Sequence, residues 1–115
     1  MKLEIHTLVG KNCMTCEDGQ IVYDRIHPEL LAECPVELDF AGVEIFASPF
    51  FNFAIGQLLR DIEPDNLNRL LTFPNLNSIG KSILKQVIEN SKRYYSDEKY
   101  RSKVDKVIEE QATGV

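Results

Sequence analysis

Polar and apolar residues alternate at the start of the chain. Leu3, Ile5, Thr7 and Val9 fall on one side, with Glu4, His6 and Leu8 on the other. A period of two predicts a strand over residues 2–9, closed by Gly10. The period then changes. Ile21, Val22, Ile26 and Leu30 recur at helical spacing, and Thr15 followed by Asp18 resembles a capping box with Asp in the place of Glu. Pro28 has no N–H for the helical ladder, so a break or kink is expected near His27. Cys34-Pro35 closes this unit. Val36, Leu38 and Phe40 alternate with Glu37 and Asp39 and predict a second strand. Gly42 permits the turn after it, and residues 43–46 are extended. Residues 49–61 read as a helix ending before Pro64. A short helix is expected over residues 65–69, with Pro64 and Asp65 as first-turn residues. A strand over residues 70–73 is stopped by Pro74. Asn77 or Ser78 then caps a long amphipathic helix with Ile79, Ile83, Leu84, Val87, Ile88 and Tyr95 on one face. Ser96 with Asp97 and Glu98 signals the start of a last helix, about residues 97–110, bearing Tyr100, Val104, Val107 and Ile108. Residues 111–115 are expected to fray.

Strands alternating with helices predict an α/β fold, a small sheet covered by helices with an extra C-terminal helix. The 115 residues fit one domain, residues 1–115, with a core over about residues 2–95. This length supports a core without metal or disulfide staples. A net charge of −5 disfavours nucleic-acid binding, which needs a basic face. Lys and Arg gather between Lys81 and Lys106, but Glu and Asp are interleaved there, as on solvated helix faces. No run approaches the ~18 apolar residues of a bilayer span, and residues 1–10 do not form a signal peptide. An odd number of cysteines argues against a full disulfide framework, so a reduced, cytoplasmic protein is expected.

The densest local signal is FASPFFNFAIGQLL, residues 46–59. Serine is a favoured N-cap and proline a favoured first helical residue, so Ser48-Pro49 is accounted for by helix initiation. At 100° per residue, Phe51, Ala54, Ile55 and Leu58 share the side that packs on the sheet. Phe53 falls with Asn52, Gly56, Gln57 and Arg60 on the side expected to be wet. One reading tucks Phe53 under the last helix. The other makes Phe53, Gly56, Gln57 and Arg60, beside Ser48, a docking face for a partner, because Gly admits a close backbone and aromatic and Arg side chains anchor interfaces.

The segment VELDFAGVEIFASPFFNFAIGQLL resembles the core of the STAS-like family, relatives of the STAS domains of sulfate transporters and of anti-anti-sigma factors. Leu38-Asp39-Phe40 matches the end of a family strand and Gly42-Val43 the turn after it. Phe50, Gly56, Leu58-Leu59 and the later VIENSKRYY, residues 87–95, add to the likeness, which covers about residues 2–95. Ala47-Ser48-Pro49-Phe50 falls where anti-anti-sigma factors carry Asp-Ser-Ser-Gly. There a GHKL-type ATPase kinase phosphorylates the second serine, which is Pro49 here, while Ser48 matches the first and Ala47 replaces the aspartate. The resemblance implies a non-enzymatic regulatory module that binds a partner protein such as a GHKL-type ATPase or kinase, with no cofactor. Ser48 is its remaining candidate phosphorylation site, where phosphate would sit at a helix start.

Cys13 and Cys16 supply the rival reading. A CxxC at a helix start suits a thiol–disulfide exchanger or, with Cys34 and His6 as the other ligand types nearby, a metal site. The chain has no Trp and no second CxxC, and the plain reading makes both cysteines small turn residues. The scattered glycines form no phosphate loop, and His6 and His27 have no evident nucleophile, so no catalytic constellation is expected.

Overall fold

The computed structural model describes the backbone of residues 1–113 and the side chains of residues 1–95. Along the chain lie β1 (Lys2–Glu4), α1 (Ile5–Val9), β2 (Asn12–Cys13), α2 (Cys16–Leu31), β3 (Val36–Asp39) and β4 (Ile45–Phe46). They are followed by α3 (Ser48–Ala54), a 3-10 segment (Gly56–Arg60), α4 (Pro64–Leu70), β5 (Leu71–Thr72) and α5 (Ser78–Thr113). β1, β3 and β5 form a parallel sheet in that order, and β2 and β4 form a second parallel pair. Leu3 lies opposite Leu38, Val36 opposite Leu71, and Cys13 opposite Phe46. The Met1 amine donates to the Pro35 carbonyl at 2.9 Å, and the Glu37 N–H donates to the Met1 carbonyl at 2.8 Å, which seats the chain start on the sheet.

The expected first strand is shorter than its alternation suggested. β1 ends at Glu4 and residues 5–9 turn into α1. Ile5, Leu8 and Val9 are also three and four apart, so the same residues satisfy a helical face. Packing selects that face: Ile5 is fully buried and Leu8 and Val9 pack against the core, while His6 and Thr7 are exposed. The expected break at Pro28 is absent too, and α2 runs through it to Leu31. Pro28 lies in the last turn on the exposed side. Asp24, whose carbonyl loses its amide partner, is also exposed and can turn to water. The helix start was correctly located, since the Asp18 N–H donates to Thr15 Oγ1 at 3.1 Å.

The expected 49–61 helix is two pieces, α3 and the 3-10 segment, broken at Ile55, where φ is −120°. Its cap position falls on Ala47, not Ser48, and no side chain caps it. The Ala47 N–H still donates to Cys13 beside β2, at 2.9 Å, so the chain leaves the sheet and enters the helix at one residue. At the far end Asn77 is the cap, accepting from the Gly80 N–H at 2.8 Å. One helix, α5, replaces the two expected after it. Ile79, placed on its buried face by periodicity, is 63% exposed, whereas Leu84 and Val87 are buried. The side chains of Tyr100, Val104, Val107 and Ile108 lie outside the described residues, as do residues 114–115 of the expected frayed end.

The buried side chains form one cluster. Phe40, at the end of β3, sits at its aromatic centre. Its ring lies 5.9 Å from Phe46, 6.1 Å from Phe51 and 6.4 Å from Phe73. Phe46 and Phe51 stack at 5.7 Å. Among the described residues no helix is long and apolar enough to cross a membrane.

Candidate functional site

α3 divides the phenylalanines of the central segment sharply. Phe50 and Phe51 are fully buried, and Phe53 is 39% exposed. Ser48, Pro49 and Asn52 are exposed along the same helix. Ser48 and Asn52, four residues apart, form a ridge leading to Phe53. Beyond Phe53 lies an open cavity of about 310 Å³, whose walls include Asn52, Phe53 and Gln57 on one side and Asn90 and Tyr94 on the other. Tyr94 is 60% exposed, so two aromatic rings flank its mouth.

Two glycines set the spacing around this site. A Cβ on Gly19 of α2 would collide with the Phe50 carbonyl oxygen and lie 2.9 Å from Phe53 Cβ. α2 and α3 therefore cross with backbones almost touching, which fixes where Phe53 can emerge. Gly56 is buried, and a Cβ there would lie 2.6 Å from Ser91 Oγ. The close approach expected at Gly56 is made by the chain's own α5. Gly56 thus forms the floor of the cavity, and the exposed side chains are those around it.

Gln57 is a strut. Its Nε2 donates to the Phe53 carbonyl at 2.7 Å and to Gln20 Oε1 at 2.8 Å, and Gln20 Nε2 donates onward to Asp24 Oδ1 at 2.8 Å. Arg60 is exposed, and its guanidinium is held against the Tyr23 hydroxyl, with Tyr95 adding to the effect, which raises its pKa further. Tyr23 also stacks on His27 at 4.7 Å, and His27 Nε2 lies 2.9 Å from Asp61 Oδ2. The structure thus brings Phe53 and Gln57 to one cavity over Gly56. Arg60 lies past its end beside Tyr23, and Ser48 lies a helical turn before it.

Gly19, Gln20 and Ser91 were not singled out from sequence. Only Gly19 left a signal, as a glycine inside an otherwise helical pattern, which often marks a close packing contact.

Cys13 closes β2 with its side chain fully buried. Burial, with Asp18 nearby adding negative charge, pushes its thiol up to about 12. An exchanging cysteine needs the opposite shift, toward the thiolate. Cys13, Cys16 and Cys34 are all free thiols. Among the described residues no group of three or more His, Cys, Asp or Glu is placed to hold a metal ion.

No curated protein and no solved structure matches the chain. The family model described as STAS-like domain of unknown function (DUF4325) matches residues 18–81, from α2 into the first turn of α5. That match spans more than half of the chain, includes the segment from Ser48 to Arg60, and places this protein in the STAS-like family.

Proposed function

We propose that this protein is a non-enzymatic regulatory module that binds a partner protein, a GHKL-type ATPase or kinase of the cytoplasm, through the exposed side of α3 and the 3-10 segment. The observation that carries this reading is the ridge of Ser48, Asn52 and Phe53 ending at an aromatic-flanked cavity. An exposed phenylalanine held by a backbone contact beneath it is a low-entropy anchor for a partner. Gln57 and Arg60 supply polar contacts at the rim. The exposed hydroxyl of Ser48 is open to a kinase that docks on this side. A phosphoryl group there would add negative charge beside Asn52 and change the fit of the ridge.

Calorimetric titration against purified GHKL-type ATPases of the native host, with and without ATP, tests the reading. Wild type binds at least one of them, and Phe53→Glu weakens that binding by about tenfold or more, ~1.4 kcal/mol, with an unchanged circular dichroism spectrum. Absence of binding to every such ATPase, or equal binding by Phe53→Glu, defeats it. Intact-mass measurement of protein purified from the host reports separately on a phosphoryl group at Ser48.

A further inference from the structure

The sheet of β1, β3 and β5 ends at β5, and this edge has features that the α3 surface lacks. Beyond β5 runs an open groove of about 630 Å³ between the strand and α5. Its floor is apolar, from Leu71, Phe73, Leu84 and Ile88. Among the described residues, Lys81, Lys85 and Lys92 of α5 line it, together with Glu89. All three lysines are exposed, and none is in an ion pair with a described residue. A chain with a net charge of −5 thus carries a local basic strip over an apolar floor.

The backbone of this edge also bears on the groove, which Leu71 lines although it is 4% exposed. Successive residues of a strand turn their N–H and C=O groups to opposite edges. The Pro74 carbonyl accepts from the Phe40 N–H at 3.0 Å, so Pro74 and Thr72 face β3. Leu71 and Phe73 therefore face outward. The Leu71 N–H is already used by the Leu67 carbonyl at the end of α4, and the Phe73 carbonyl accepts from Leu76 at 3.4 Å. The Leu71 C=O and the Phe73 N–H have no hydrogen-bond partner among the described residues. One residue of an incoming strand can satisfy both, donating to Leu71 and accepting from Phe73, which is the pattern of a parallel ladder.

We propose that the β5 edge is a second docking site, which takes an extended acidic segment of a partner protein as a fourth parallel strand. Alternate residues of that segment face the groove, where apolar ones pack over Leu84 and Ile88 and carboxylates meet Lys81, Lys85 and Lys92. Main-chain pairing supplies affinity and the lysine strip selects acidic sequences. A second copy of this chain suits the edge poorly, because it would set one lysine strip beside another. The site is independent of the α3 ridge.

The test is a nuclear magnetic resonance titration of the ¹⁵N-labelled protein with a short peptide in which serine alternates with glutamate or valine, so that glutamate and valine share one face of the strand. A peptide with lysine in place of glutamate serves as the control. The acidic peptide is expected to shift the Phe73 amide signal and slow its hydrogen exchange, and the lysine peptide to do neither. Lys81→Glu combined with Lys85→Glu weakens binding by about tenfold or more while the rest of the spectrum is retained. Phe53→Glu leaves peptide binding unchanged, which separates this site from the α3 ridge. The proposal is overturned if the acidic peptide gives no shifts at about 1 mM or if both peptides bind alike. It is also overturned if the Phe73 amide stays unaffected while lysine signals move, or if the free protein is a dimer with that amide already protected.

Discussion

Cys13 and Asp39 show opposite ways in which a single residue ties stability to pH. Cys13 is buried as a neutral thiol, its pKa raised from 9.0 to about 12 by desolvation and by Asp18. The unfolded chain therefore loses this proton first as pH rises. Its contribution to stability is complete below about pH 9 and declines as pH climbs toward 12. Urea midpoints measured across this range should fall less in Cys13→Ala than in wild type. Thiol counting with an aromatic disulfide reagent at neutral pH should detect half-buried Cys16 and Cys34, and Cys13 only after denaturation. Asp39 is displaced the other way. Asn75 Nδ2 and the Ala41 N–H each donate to its Oδ1 at 2.9 Å and Lys2 lies 3.7 Å from its Oδ2, so its pKa is lowered, with the Asn75 bond as the largest cause. This contribution is present above the unfolded value of 3.8 and is lost as pH falls through the lower folded pKa. Asp39→Asn should flatten the acid limb of the stability profile below about pH 4. The sequence offered Asp39 as the end of a strand. Its bonding to Asn75, thirty-six positions away, required the β3–β5 pairing.

At the scale of elements, the two glycines around Phe53 make a contrast that can be measured. Gly19→Ala drives a methyl against the Phe50 carbonyl, a backbone atom that moves only if α3 moves. A loss of about 1–3 kcal/mol is expected by urea denaturation, with altered Phe53 exposure. Gly56→Ala meets Ser91 Oγ, the end of a small side chain. Its cost should be smaller and largely relieved in the double variant with Ser91→Ala, a coupling that a double-mutant cycle reads directly. The elements themselves were legible where local chemistry is decisive. Thr15 starts α2, Asn77 starts α5, and β3 alternates as its sequence does. They were misread where two periods fit the same residues or where a weak stop signal met a strong packing face. Residues 5–9 satisfy both a strand and a short helix, and burial of Ile5 chose the helix. Pro28 signals a break, but Ile26 and Leu30 on the buried side carry α2 past it.

For the whole molecule, the decisive feature is the meeting of β3, β4, α3 and the loop after β5 at Phe40. Phe40→Ala empties the centre of a cluster of four rings and should cost about 3–5 kcal/mol, with a lower urea midpoint. The pattern of the chain by itself determined the α/β class, the strands β3 and β5, and the starts of α2 and α5. Those features depend on residues near one another along the backbone, through periodicity, caps and turn residues. Only the tertiary structure decided that α5 covers Gly56, that Gly19 holds α3 in place, that Cys13 is sealed as a thiol, and that the lysines of α5 line an open sheet edge. Each is a contact between distant segments. The same lysines read along the chain were an ordinary solvated helix face, because a helical repeat records which side a residue takes and not what lies opposite it.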